Sequence, residues 1–217
     1  KVKSLLSLKN CDKIFVRESI SQKYLRNYKI KSKVVPDLMF NKNFKNISKR
    51  RSNRIVLTDS VFDETTNKII KIIKQNKKYL FCPLIKKPDN FLNKNNKRLF
   101  RYYLSRIKYI TLYFLFNINV NKTNYYINND KKSLEILKNS SLNICGRFHA
   151  VVLSLIMLRP FVVLESNTHK VQGLLKDINI NRRLKKINQI INLDINNLKL
   201  KQKEIKKIIK YKKKAKI

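Results

Sequence analysis

Gly146, Arg147, Phe148 and His149 stand in a row in a chain of 217 residues that holds 2 glycines and 2 histidines in all. A glycine in so glycine-poor a chain is kept where the backbone needs φ > 0 or where a ligand must come close to it. A guanidinium offers a planar fork for phosphate or carboxylate, and an imidazole changes charge near neutral pH. Leu142 to Cys145 reads as a short buried strand and Ala150 to Leu158 as an apolar helix. The four residues therefore occupy a strand-to-helix turn, the crevice where α/β sheets bind ligands. Plainer roles compete: Arg147 can pair with Glu165 or cap a strand end, and Gly146 can be a helix-entry glycine.

The elements that would hold this turn follow from hydrophobic runs and their punctuation. Asp12 to Val16 reads as a strand, Ile20 to Tyr28 as a helix, and Lys33 to Val35 as a strand stopped by Pro36. Asn41 to Asn53 is polar and basic without periodicity and reads as a linker. Arg54 to Leu57 is a strand ending at Asp59, Asn67 to Ile73 the apolar face of a helix, and Tyr79 to Cys82 a strand ending at Pro83. Lys87 to Lys97 reads as loop and the following stretch, 98–126, as an insertion. A helix from Asn129 to Asn139, the strand and helix around Gly146, a strand from Phe161 to Leu164 and a helix from Lys170 to Leu175 complete the series. Alternating strands and helices imply an α/β fold, a Rossmann-like parallel sheet with helices on both faces and right-handed crossovers. Gly146 and Ser166 should then end neighbouring strands, with the strand at Ile14 outside that sheet. Leu198 to Ile217 reads as a lysine-rich helix with Leu198, Ile205, Ile208 and Ile209 on one stripe. It is expected to pack back over the core, with peripheral contact to an anionic membrane as the alternative.

Composition bounds the classes of function. The formal net charge is +38, which in isolation points to nucleic acid. Here the excess runs along the whole chain beside abundant Asn and Ile, residues with A/T-rich codons, and this argues against a dedicated nucleic-acid binder. The longest apolar runs fall far short of the ~20 residues that span a bilayer. Cys11, Cys82 and Cys145 are widely spaced beside apolar residues and read as reduced, buried thiols of a cytoplasmic protein, with no metal site or cofactor implied. The first residues read like the middle of a folded protein, which suggests a fragment.

Two separated blocks carry a family resemblance. The first is Ile144-Cys145-Gly146-Arg147-Phe148-His149-Ala150, followed by Arg159-Pro160-Phe161 and by Ser166-Asn167-Thr168-His169-Lys170 through Gly173. The second is Val16-Arg17-Glu18-Ser19-Ile20-Ser21 with Leu25 and the Pro36-Asp37 turn. Together they resemble the polysaccharide pyruvyltransferase family. Glu18 stands where the family usually has Asp, and Asn167 where many members have Tyr. The resemblance implies a fold like that of two-domain, B-type glycosyltransferases. Residues 1–47 would be the end of an N-terminal Rossmann-like half, and 48–217 a C-terminal Rossmann-like domain.

The implied chemistry is transfer of a pyruvyl group from phosphoenolpyruvate to two sugar hydroxyls, giving a cyclic ketal in glycan or polysaccharide biosynthesis. A donor with a phosphate and a carboxylate asks for fixed cations and helix-end N–H groups. The resemblance thereby assigns Arg147 to donor binding and His149 to proton transfer. Substrate contacts fall to Arg17, Gly146, Ser166, Asn167, His169 and Lys170. A related transferase with a nucleotide-sugar donor, or an inactive binding domain, is the alternative.

Overall fold

The computed structural model describes residues 2–44, 52–60, 62–75, 78–82, 84, 104, 107, 130–165, 169–190 and 193–215. The linker expected at Asn41 to Asn53 is covered only at its ends. The loop at Lys87 to Lys97 lies outside the described residues, as does the insertion at 98–126 apart from positions 104 and 107.

Among the described residues, seven strands fall into two parallel sheets. β1 (Phe15–Val16) pairs with β2 (Lys33–Val34) in a small sheet of its own, as expected for the strand at Ile14. The main sheet holds β3 (Ile55–Leu57), β4 (Tyr79–Phe81), β5 (Leu142–Cys145), β6 (Phe161–Leu164) and β7 (Leu184–Lys185), in the order β4-β3-β5-β6-β7. All four pairings are parallel, so the expected α/β, Rossmann-like architecture is the one observed. β7 escapes a sequence reading because it is two residues long, half-buried and carries a lysine.

The helices are α1 (Val2–Lys9), α2 (Ser19–Asn27), α3 (Asp63–Gln75), α4 (Asp130–Asn139), α5 (Phe148–Ile156), α6 (His169–Ile178) and α7 (Gln202–Lys213). β3 and β6 are continuous apolar runs and β5 is one but for Asn143; every residue of these strands is buried, as strands covered on both faces require. On one face Ile55, Leu57, Ile144 and Val162 pack with Ile69, Ile72 and Ile73 of α3. On the other, Cys145, Phe161 and Val163 meet α5, α6 and α7, while Val56 and Leu80 meet Leu137 of α4. The crossover from β3 to β4 thus uses one face and those after β5 the other. Right-handed connections then force the strand order to reverse between β3 and β5.

Asn143 is a polar residue in the middle of this apolar sheet and is fully buried. Its amide donates to Leu137 O (3.0 Å) and Ser154 Oγ (3.1 Å) and accepts from Ser140 Oγ (2.8 Å). With these partners its burial is compensated, and the network sets α4 and α5 against β5.

α7 returns across the core, burying Glu204, Ile208 and Tyr211, and Ala215 just after it is buried too. This corrects the expected stripe: Leu198 belongs to a separate 3-10 turn (Asn196–Leu198), and Ile209 faces outward, 43% exposed. Glu204 accepts from Arg183 Nε (3.0 Å) and Nη2 (2.8 Å) and from Arg182 Nε (3.0 Å) and Nη2 (2.7 Å). Arg183 is fully buried and also donates to the carbonyls of Phe161 (2.6 Å) and Leu198 (3.1 Å). Among the described residues no helix is long and apolar enough to cross a membrane.

Two cysteines match the expectation of buried thiols and one corrects it. Burial pushes the Cys82 and Cys145 thiols up to about 12. Cys11 is exposed in the turn that ends α1, its Sγ donating to Ser7 O at 3.7 Å.

Candidate functional site

The strand order reverses between β3 and β5, and the space beyond their C-terminal ends is the usual ligand crevice of a doubly wound sheet. Thr58, Asp59 and Ser60 leave β3 there and are all buried. Gly146 leaves β5 beside them and donates its N–H to Thr58 Oγ1 at 2.9 Å. Its φ is not positive. The absence of a side chain serves close approach instead: a Cβ at this position would lie 2.5 Å from the backbone oxygen of Asp59 and 3.1 Å from Ser60 Cα. What comes close to Gly146 is the neighbouring strand's exit loop.

Arg147 is the N-cap residue of α5 with an extended backbone (φ −127°, ψ 148°). Its Nε donates to Asp59 Oδ2 at 2.5 Å, and its side chain keeps 32% exposure while that of Asp59 has none. The alternative pairing with Glu165 is therefore replaced by one with Asp59, across the switch point. Asp59 Oδ1 accepts the N–H of Leu84 at 2.7 Å, just after β4. Burial pushes the Asp59 carboxyl above its ordinary value, against the opposing pull of the Arg147 charge and these hydrogen bonds.

The small sheet delivers Arg17 to the same turn. Arg17 follows β1, its Nη1 pairs with Asp37 Oδ2 at 3.0 Å, and its Cζ lies 4.7 Å from the centre of the Phe148 ring. Tyr211 of α7 donates to the carbonyl of Arg17 at 3.2 Å. His149 is exposed in the first turn of α5, its ring edge-on to Phe148 with centroids 5.7 Å apart.

The next residue, Glu18, is 1% exposed and caps α2 by accepting from Ser21 N at 3.0 Å. Ser21 Oγ donates to its Oε1 and lies 3.1 Å from His169 Nε2, which is 3.7 Å from Glu18 Oε1. Gly173 admits the Glu18 side chain, whose Cδ would stand 2.8 Å from a Cβ there. Ser19 adds hydrogen bonds from its N (2.8 Å) and Oγ to the Asp177 carboxylate, so α2 is pinned along α6. Lys170 is exposed in the first turn of α6, which follows β6. β6 adjoins β5 in parallel, so Lys170 and Arg147 both follow the C-terminal ends of neighbouring strands. Ser166 and Asn167 lie outside the described residues.

A family model described as polysaccharide pyruvyl transferase matches residues 3–168. The chain belongs to this family. No curated protein matches it. The matched stretch of this polysaccharide pyruvyl transferase relative contains Arg17, Asp59, Gly146, Arg147 and His149, while His169, Lys170 and Gly173 follow it.

Sequence reasoning overlooked Asp59, Glu18 and Asp37 as partners of the site in this pyruvyl transferase family member. A signal was available in the composition. With 13 acidic against 51 basic residues, a carboxylate is the scarce species, and these three each hold a basic side chain of the crevice or its rim.

Proposed function

We propose that this protein transfers the pyruvyl group of phosphoenolpyruvate to two hydroxyls of a sugar, forming a cyclic ketal and releasing phosphate. Two C–O bonds form at C2 of the donor and its bond to the phosphate oxygen breaks. The methylene carbon gains a proton and becomes methyl; one hydroxyl proton balances that gain and the other leaves with phosphate. The observation that carries the reading is Arg147, a guanidinium held by a buried carboxylate at the switch point of a pyruvyl transferase fold. Such a fork suits an anion with paired oxygens.

In this reading Arg147 and Arg17 receive the two anionic groups of the donor. Gly146 keeps the crevice narrow, and His149 moves the proton between hydroxyl and methylene. Ser166, Asn167, His169 and Lys170 supply further substrate contacts, Lys170 through the donor's phosphate. Residues 1–47 act as the last elements of one Rossmann-like unit and 48–217 as a second, matching the separate small and main sheets. The reaction takes place in the cytoplasm, where phosphoenolpyruvate is made. Any contact with an anionic membrane runs through the exposed lysines of α7, because its apolar side is buried.

Steady-state kinetics with phosphoenolpyruvate and a galactose- or mannose-type acceptor test this. Arg147→Lys should raise the KM for the donor sharply, since a point charge replaces the fork. His149→Ala should lower kcat by about 10²-fold or more with little change in donor binding. Phosphate release with none of the sugars tested, or turnover only with a nucleotide sugar, would overturn the assignment.

A further inference from the structure

Among the described residues, two buried carboxylates pair with arginine, and the pairs are built differently. Arg183 is fully buried, grips both oxygens of Glu204 with Nε and Nη2, and turns Nη1 to backbone carbonyls. Arg147 meets Asp59 through Nε alone among the described residues, and its side chain stays 32% exposed at the crevice. The first arrangement uses every edge of the guanidinium for the fold. The second, among the described residues, leaves the edge between Nη1 and Nη2 uncommitted.

We infer that Asp59 is a positioning residue: by holding Nε of Arg147 it closes the side edge of the guanidinium and presents the Nη1–Nη2 edge, end-on, to an oxyanion. The inference rests on the proposed role of Arg147 in donor binding. Asp59 is suited to the task because it cannot turn. Its Oδ1 is held by Leu84 N–H at 2.7 Å, its side chain has no exposure, and its backbone oxygen lies against Gly146. One rigid carboxylate therefore registers the exits of β3, β4 and β5 against each other and fixes the plane of the fork. A fork fixed before the ligand arrives loses less freedom on binding it. Asn is no substitute at this position, since both oxygens accept N–H groups and an amide would turn an NH₂ toward one of the donors.

Calorimetric titration of phosphoenolpyruvate into wild type, Asp59→Asn, Arg147→Gln and the double variant tests the inference. Asp59→Asn should weaken binding by about tenfold or more, and should add nothing in the Arg147→Gln background, because it acts through that side chain. Equal weakening by Asp59→Asn in both backgrounds, or wild-type affinity of Asp59→Asn beside a loss in Arg147→Gln, overturns the inference and leaves the role of Arg147 standing. Wild-type affinity of Arg147→Gln overturns both. A measurement on the wild type covers the case in which Asp59→Asn does not fold. In ¹⁵N spectra of the arginine side chains, inorganic phosphate should move the Nη resonances of Arg147 and leave its Nε–H in place. An Nε–H that moves together with the Nη groups shows that the carboxylate has released it, and refutes end-on presentation.

Discussion

The two glycines differ in what a methyl group would strike, and that difference is measurable. At Gly146 the obstacle is backbone, the Asp59 carbonyl, which cannot move without shifting the exit of β3. Gly146→Ala should destabilise the protein by about 1–3 kcal/mol and displace the Asp59–Arg147 contact, so donor affinity falls with stability. At Gly173 the obstacle is the end of the Glu18 side chain, which can swing away. Gly173→Ala should cost less, and loosen the capping of α2 and the contact with His169. Urea unfolding of both variants checks the order; equal losses would mean that the backbone at Gly146 yields freely. The glycine-arginine-histidine turn was legible in the sequence because those residue types were rare or contextually odd. Asp59 was not, because an aspartate after a strand looks the same whether it caps a turn in water or lies buried under a neighbouring loop.

At the scale of elements, α7 is held by the Glu204 carboxylate. Burial alone would raise its pKa, but hydrogen bonds from Arg183, Arg182 and the Lys201 N–H, with the charge of Arg183, carry it from an ordinary 4.5 to about 2. A carboxyl whose folded pKa is depressed contributes stability above the unfolded pKa and loses it as pH falls toward the folded value. The contribution of Glu204 should therefore be complete above about pH 5 and decline between about 4.5 and 2, and Glu204→Gln should flatten that part of the stability–pH curve. Glu204→Ala strands the fully buried guanidinium of Arg183 and should cost about 3–5 kcal/mol, whereas replacing Arg183 and Glu204 together by Met and Leu should recover most of the loss. A single variant that loses under about 1 kcal/mol in denaturant unfolding would show that water reaches the pair. The parallel sheet and most of its helices were readable from apolar runs and Pro or Asp stops. The docking of α7 was readable only in outline, since nothing in a lysine-rich segment marks which side chain turns inward, and here a glutamate did.

The whole molecule carries a formal charge of +38 with few acids to offset it. Like-charge repulsion across such a surface opposes compactness and is screened by salt. Tm should rise by a few degrees from about 20 to about 300 mM sodium chloride, as read by calorimetry. A Tm that falls instead would mean that ion pairs such as Arg17–Asp37 outweigh the surface repulsion. The contact between Tyr211 and the carbonyl of Arg17 joins residues 194 positions apart. During synthesis the arginine leaves the ribosome long before the tyrosine that steadies it. The parallel sheet can assemble as its strands appear, but the rim of the crevice around Phe148 is completed only when the last helix has been made, so a chain halted before α7 would carry the fork without its second cation in place.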